Sequence, residues 1–102
     1  MATDLTGVRS FPHFTKLAGV LHTAMQEIQL PTAASTVTVG STSAFRVAQN
    51  GATDGGAVPA NYAFGVSNNY FQFNLPKGLE AASSIFVAGD SGAADIYIVL
   101  EK

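Results

Sequence analysis

The chain has 102 residues, 12% of them charged, a formal net charge of −2 and no cysteine. That length fits one domain, in which folding buries roughly 60–70% of the unfolded surface. Without cysteine there is no disulfide, thiolate metal site or cysteine nucleophile. Arg9, Lys16, Arg46, Lys77 and Lys102 are scattered, so no basic stripe is available to neutralise phosphates.

Residues 1–24 read as an N-terminal arm, with or without a short helix. Residues 1–11 include Asp4 and hold no long apolar stretch, so they do not read as a signal peptide. No run approaches the ~18 apolar residues of a membrane span, and Ala2 stands where myristoylation needs glycine. Within residues 13–30 two periods compete. Phe14, Leu17, Leu21 and Met25 fit a helical stripe, whereas Val20, His22, Ala24, Gln26, Ile28 and Leu30 fit a strand. Gly19 weighs against the helix, and residues 27–30 are expected as a strand.

Residues 25–102 read as strands and turns. Three hairpins are predicted. The first, residues 36–49, turns at Ser41-Thr42-Ser43 and sets Val39 against Phe45 and Val37 against Val47. The loop at residues 50–61, NGATDGGAVPAN, is dense in turn signals. A loop of this length is often functional. The second hairpin, residues 62–75, turns at Asn68-Asn69, because Asn tolerates the positive φ of a type I′ turn. It sets Val66 against Phe71, Phe64 against Phe73 and Tyr62 against Leu75, all on one face. The third, residues 83–100, turns at Ser91-Gly92 and sets Val87 against Ile96 and Ile85 against Ile98. Its other face carries Phe86, Tyr97 and Val99, too apolar for open water, so it is either covered by the N-terminal segment or used for contact. The expected fold class is all-β: an antiparallel β-sandwich or jelly-roll-like domain with an N-terminal arm or short helix.

Catalytic patterns fail in turn. His13 and His22 are nine apart, which matches no helical metal-ligand spacing or catalytic motif. The acids Asp4, Glu27, Asp54, Glu80, Asp90, Asp95 and Glu101 fall mostly in loops or at strand ends, not as a pair facing one cleft. Asp54 in TDGG and Asp90 in GDSG lack the run of oxygen ligands of a calcium loop. GDSG also flanks the serine of trypsin-like proteases, but here it is a turn without the matching histidine and aspartate. No enzyme activity, catalytic residue, metal or cofactor is expected. The aromatic residues could stack on sugar, with Tyr70 or Tyr97 as the exposed candidates. There is no Trp, and the predicted register assigns Tyr62, Phe64, Phe71 and Phe73 to a core-like face.

Residues 28–102 carry an IQLP strand entry, TVTV, FRVAQNG, a DGGAV loop and the ending SIFVAGDSGAADIYIVLEK. This pattern resembles small virion proteins of tailed bacteriophages, of the capsid cement, decoration and fibre-base kinds. The resemblance implies a structural protein at the capsid surface of a virion, made in the host cytoplasm. Its implied partner is the major capsid protein, with which it would act as a homo-oligomeric dimer or trimer that stabilises the lattice. It implies no nucleic-acid or membrane partner. A charged fraction about half the usual ~25% agrees with a surface covered by other chains, since interface cores are depleted of charge. The expected contact residues are Leu5, Val8, Phe11 and Phe14 of the arm and Asn50, Asp54 and Val58 of the loop. The alternatives are a carbohydrate-binding or host-attachment module and a fibre-base domain.

Overall fold

The computed structural model describes residues 2–49, 52–74 and 84–102. Among them nine strands form two sheets: β1 (Thr3–Asp4), β2 (His13–Val20), β3 (Gln26–Gln29), β4 (Thr36–Ser41), β5 (Phe45–Ala48), β6 (Ala63–Gly65), β7 (Asn69–Asn74), β8 (Ser84–Gly89) and β9 (Ala94–Glu101). One sheet has the order β1-β3-β8-β5-β6, the other β2-β9-β4-β7. All neighbours are antiparallel except β1 and β3. The all-β sandwich expected from the sequence is the fold, without a helix among the described residues.

Period-two alternation builds the interior. Along β4, Val37, Val39 and Ser41 are buried while Thr36, Thr38 and Gly40 are not. Along β9, Ala94, Ile96, Ile98 and Leu100 are buried. From the other sheet Ile28, Phe45, Val47, Ile85 and Val87 join them in one cluster. Each such large aliphatic or aromatic side chain contributes about 1.5–3 kcal/mol by leaving water. Ser41 is the buried polar residue at the end of β4. Its hydroxyl donates to the Asp95 carbonyl at 2.7 Å and accepts from the Ser43 N–H at 3.1 Å, so both of its roles are satisfied.

The three predicted hairpins are not hairpins. β4 and β5 lie in different sheets, as do β6 and β7, and β8 and β9. The partners of β4 are β7 and β9, with Val39 opposite Phe71 and Ile98. Val47 lies opposite Val87 and Ala63, and Ile85 opposite Ile28. The apolar faces were assigned correctly for Val37, Val39, Phe45, Val47, Ile85, Val87, Ile96 and Ile98, all in the core. They meet across the gap between sheets instead of along a ladder. Asn68 does take the positive φ (61°) read from the sequence. There it turns the chain from one sheet to the other, and its N–H donates to the Ser41 carbonyl at 2.9 Å. Leu75, the expected partner of Tyr62, lies outside the described residues.

The expected arm is part of the sandwich. Leu5 is in the core and its N–H donates to the Gln29 carbonyl at 2.8 Å. Val8 and Phe11 pack against the same core. Residues 13–20 are strand β2, paired to β9 from His13 opposite Leu100 to Leu17 opposite Ile96. The ladder resumes at Val20 opposite Ala94, so β2 holds one extra residue. Gly19, at φ 65°, provides that bulge and donates its N–H to Asp95 Oδ1 at 2.9 Å. The apparent helical stripe dissolves accordingly: Phe14 and Leu21 are exposed, and Leu17 and Met25 belong to different buried clusters.

The outer face of the five-stranded sheet has its own cover. Met25, Ala48, Phe86 and Ala88 form a second buried cluster, against which Ala52 and Val58 pack. Phe86 is therefore covered by the loop before β6, not by the N-terminal segment. Two backbone hydrogen bonds fasten that loop, Met25 N–H to the Gly56 carbonyl (2.8 Å) and Gly55 N–H to the Met25 carbonyl (2.7 Å).

Phe45 and Gly65 are a close fit in the core. A Cβ at Gly65 would stand 2.3 Å from two carbons of the Phe45 ring, which is itself fully buried. Gly65→Ala is expected to destabilise by about 1–3 kcal/mol in urea unfolding. Gly7→Ala, with nothing within 4 Å of the new carbon, should stay within about 0.5 kcal/mol of the parent. Equal midpoints for the two variants would refute this account of the core.

Candidate functional site

The large hydrophobic side chains exposed among the described residues are Phe14, Leu21, Tyr62, Phe64, Val66, Tyr70 and Tyr97. They fall on two surfaces. Phe14, Tyr70 and Tyr97 lie on the outer face of the four-stranded sheet, whose inner neighbours Leu17, Val39, Phe71 and Ile98 point into the core. Tyr62, Phe64 and Val66 lie in or beside β6, the last strand of the other sheet, and Leu21 follows β2, its carbonyl accepting from the Gly89 N–H at 3.0 Å.

On the four-stranded face the register sets Lys16, Tyr97, Gly40 and Tyr70 in one row across β2, β9, β4 and β7. The next row is Phe14, Val99, Thr38 and Gln72. Tyr70 is 67% and Phe14 71% exposed. Lys16 Nζ sits 5.8 Å from the Tyr97 ring centre and 3.7 Å from Asp95 Oδ2. Gly40 has no side chain because Tyr70 approaches too closely: a Cβ there would lie 3.0 Å from Tyr70 Cβ and 3.2 Å from the Asn69 carbonyl oxygen.

At the other surface, Arg46 on β5 is opposite Ala88 and Phe64. Its guanidinium donates to the Gly89 carbonyl through Nε (3.0 Å) and Nη2 (2.8 Å) and to the His22 carbonyl (2.6 Å). The Asp90 carboxylate is 3.9 Å away, and the Tyr62 ring centre 5.7 Å. Arg46 is thus a structural clamp between the β2–β3 connection and the end of β8. β6 and β7 are each the last strand of their sheet, and residues 61–74 contain no charged residue.

The expected contact residues separate. Leu5 is in the core, Val8 and Phe11 pack on it, and Val58 packs on the Phe86 cluster, so these four face inward while the chain is folded. Phe14 and Asp54 are exposed, and Asn50 lies outside the described residues. Tyr62 and Phe64, assigned to a core-like face, point outward instead, because β6 pairs with β5 and not with β7. The sequence signal that would have found the Tyr97–Gly40–Tyr70 row is a glycine inside a β-branched strand, which marks close approach of another backbone or ligand.

The carboxylates serve local structure. Asp95 holds Gly19 and Lys16, Asp90 faces Arg46, and Glu27 Oε2 accepts from the Ser84 hydroxyl at 2.8 Å. Among the described residues no three His, Asp or Glu side chains gather as a metal site. Among the described residues two carboxyls are held below their usual range. Asp4 is held there by the Thr6 hydroxyl and then the Thr6 N–H, and Asp54 first by the Glu27 N–H, which donates to Oδ1 at 3.0 Å. No protein family, curated protein or solved structure matches the chain.

The Asp54 contact predicts a pH effect. A depressed folded value means that its contribution is whole above about pH 4, the ordinary Asp range. It is lost as pH falls through the lower folded value. The Glu27 amide resonance should follow this titration, and Asp54→Asn should abolish the step. A Glu27 amide indifferent to acid would remove Asp54 as the anchor of the loop.

Proposed function

We propose that this chain is a non-enzymatic structural protein of a virion, a capsid cement or decoration protein that self-associates and binds the major capsid protein's lattice. One observation carries the self-association. β6 and β7 end their sheets, follow one another in the chain, and present Tyr62, Phe64, Val66 and Tyr70 without a charge over residues 61–74. Open strand edges are templates for pairing with another chain, and monomers usually block them with charge, bulges or brevity. Of the four edges, β1 is two residues long and β6 three, β2 carries the Gly19 bulge and Lys16, and β7, at six residues, has neither bulge nor charge. Exposed aromatic surface at an uncharged edge suits the core of an interface. The virion setting is supported by the likeness of residues 28–102 to phage cement and decoration proteins.

Light scattering should give two or three times the 10.5 kDa chain mass. Phe64→Lys and Val66→Lys should each return it to one chain, since a charge on the strand edge opposes pairing. A parent that stays monomeric at every accessible concentration would overturn the self-association. Particles purified from cells that express the gene should retain the chain through washing, and its absence from them would overturn the virion assignment.

A further inference from the structure

β7 ends the four-stranded sheet, and its ladder with β4 shows which of its backbone groups are spare. Opposed residues of an antiparallel ladder alternate between wide pairs that exchange hydrogen bonds and narrow pairs that do not. Gly40 and Tyr70 are a narrow pair: a Cβ at Gly40 would lie 3.0 Å from Tyr70 Cβ and 3.6 Å from Tyr70 Cα. The Tyr70 N–H agrees, because it donates within its own strand, to Asn69 Oδ1 at 2.8 Å. The register runs without a shift from Ser41 opposite Asn69 to Thr36 opposite Asn74. Gln72 and Asn74 therefore share the phase of Tyr70, and their N–H and C=O groups point away from β4. Phe71 and Phe73 have the other phase and bond to β4. Among the described residues no strand lies beyond β7.

We propose that these spare groups pair antiparallel with β7 of a second copy, about a two-fold axis at Gln72, so that two four-stranded sheets become one. The pairing rests on the self-association proposed above and assigns it to one strand and one register. Gln72 exchanges both hydrogen bonds with Gln72 of the second copy, and the Tyr70 carbonyl accepts from its Asn74 N–H. A strand laid antiparallel to itself closes under two-fold symmetry, so a second copy satisfies this edge without extending into a fibre. Residues 69–74 carry no charge to oppose their own image. Phe71 and Phe73 of the same strand are only half-buried although they pack on the core. In this register each lies opposite the other in the second copy, so the two pairs of rings cover the apolar margin of the sandwich. An axis displaced to either side pairs fewer of residues 70–74.

Light scattering combined with amide hydrogen exchange on the full chain tests this. The parent should have twice the chain mass. Its Gln72 and Asn74 amides should exchange about tenfold or more slower in the dimer than after dilution to single chains. The Phe71 and Phe73 amides, bonded to β4, should be protected in both. Gln72→Pro removes only an outward N–H, which an edge strand tolerates. It should be a single folded chain with the Val39 and Ile98 amides unshifted. In this cysteine-free chain, Gln72→Cys should oxidise to a linked dimer faster than Tyr70→Cys, because only position 72 faces its own copy. The reverse order would overturn the axis. A dimer whose Gln72 and Asn74 amides exchange as fast as in the single chain would overturn the β7 pairing and keep the self-association. A folded Gln72→Pro dimer or a parent at three chain masses would do the same. A parent that is a single chain at every concentration would overturn both.

Discussion

Phe45 joins the two layers, and much of the rest is arranged around it. Its ring starts from β5 in the five-stranded sheet and meets Phe71 of β7 in the other sheet edge to face, with centroids 5.9 Å apart at 68°. Such pairs add about 0.5–1.5 kcal/mol beyond the area they bury. The ring reaches that far because Gly65, its neighbour on β6, has no side chain to block it. Once the ring is placed, Phe73 can stack 6.2 Å beyond Phe71. Val37 and Val39 then lie in register with both rings along β4. Close packing of this kind tolerates neither added nor missing atoms.

The strand faces were legible in the sequence and the strand partners were not, for a physical reason. Alternation states which side of a strand meets apolar surface, but not whether that surface lies along the ladder or on the opposing sheet. Val39 with Phe45, or Ile85 with Ile98, satisfies the same pattern as a hairpin pair and as two inward faces of a sandwich. A short loop between them fits both arrangements. Asn68 illustrates the ambiguity: its positive φ was readable from residue type, yet the turn it makes changes sheets. Tyr62 and Phe64 were lost to the same error, since a hairpin with β7 would have buried them. β2 was hidden differently. The bulge at Gly19 breaks its alternation, so Leu17 and Val20 are both buried at a spacing that also suits a helix.

The crossings have a consequence for assembly of the fold itself. β8 is flanked by β3 and β5, and β9 by β2 and β4. Residues 84–101 thus supply an interior strand to each sheet. Neither sheet can complete its ladder before these strands arrive, and most pairings close long loops. Contacts of that kind make folding slow. A slowly folding chain with few charges exposes uncharged strands while it waits, which is the hazard that edge charges normally reduce. In this chain several of the described charges are committed elsewhere: Arg46 to carbonyls at Gly89 and His22, Asp95 to Lys16 and the bulge, Asp54 to the loop.

The two outer faces of the sandwich are therefore not equivalent. The five-stranded face spends part of its own chain, residues 52–58, on covering Phe86, Ala48 and Ala88. Among the described residues no segment covers the four-stranded face, which keeps Tyr97, Tyr70, Phe14 and Val99 among threonines, Gln72 and a balanced Lys16–Asp95 pair. The uncharged β6 and β7 edges extend the contrast to the sides of the molecule. The β7 edge lacks the bulge and the charge of β2 and the brevity of β1 and β6, so association through it needs no rearrangement of the core. A copy added at the β7 edge would run alongside the sheet and meet Tyr70, which stands on that edge strand.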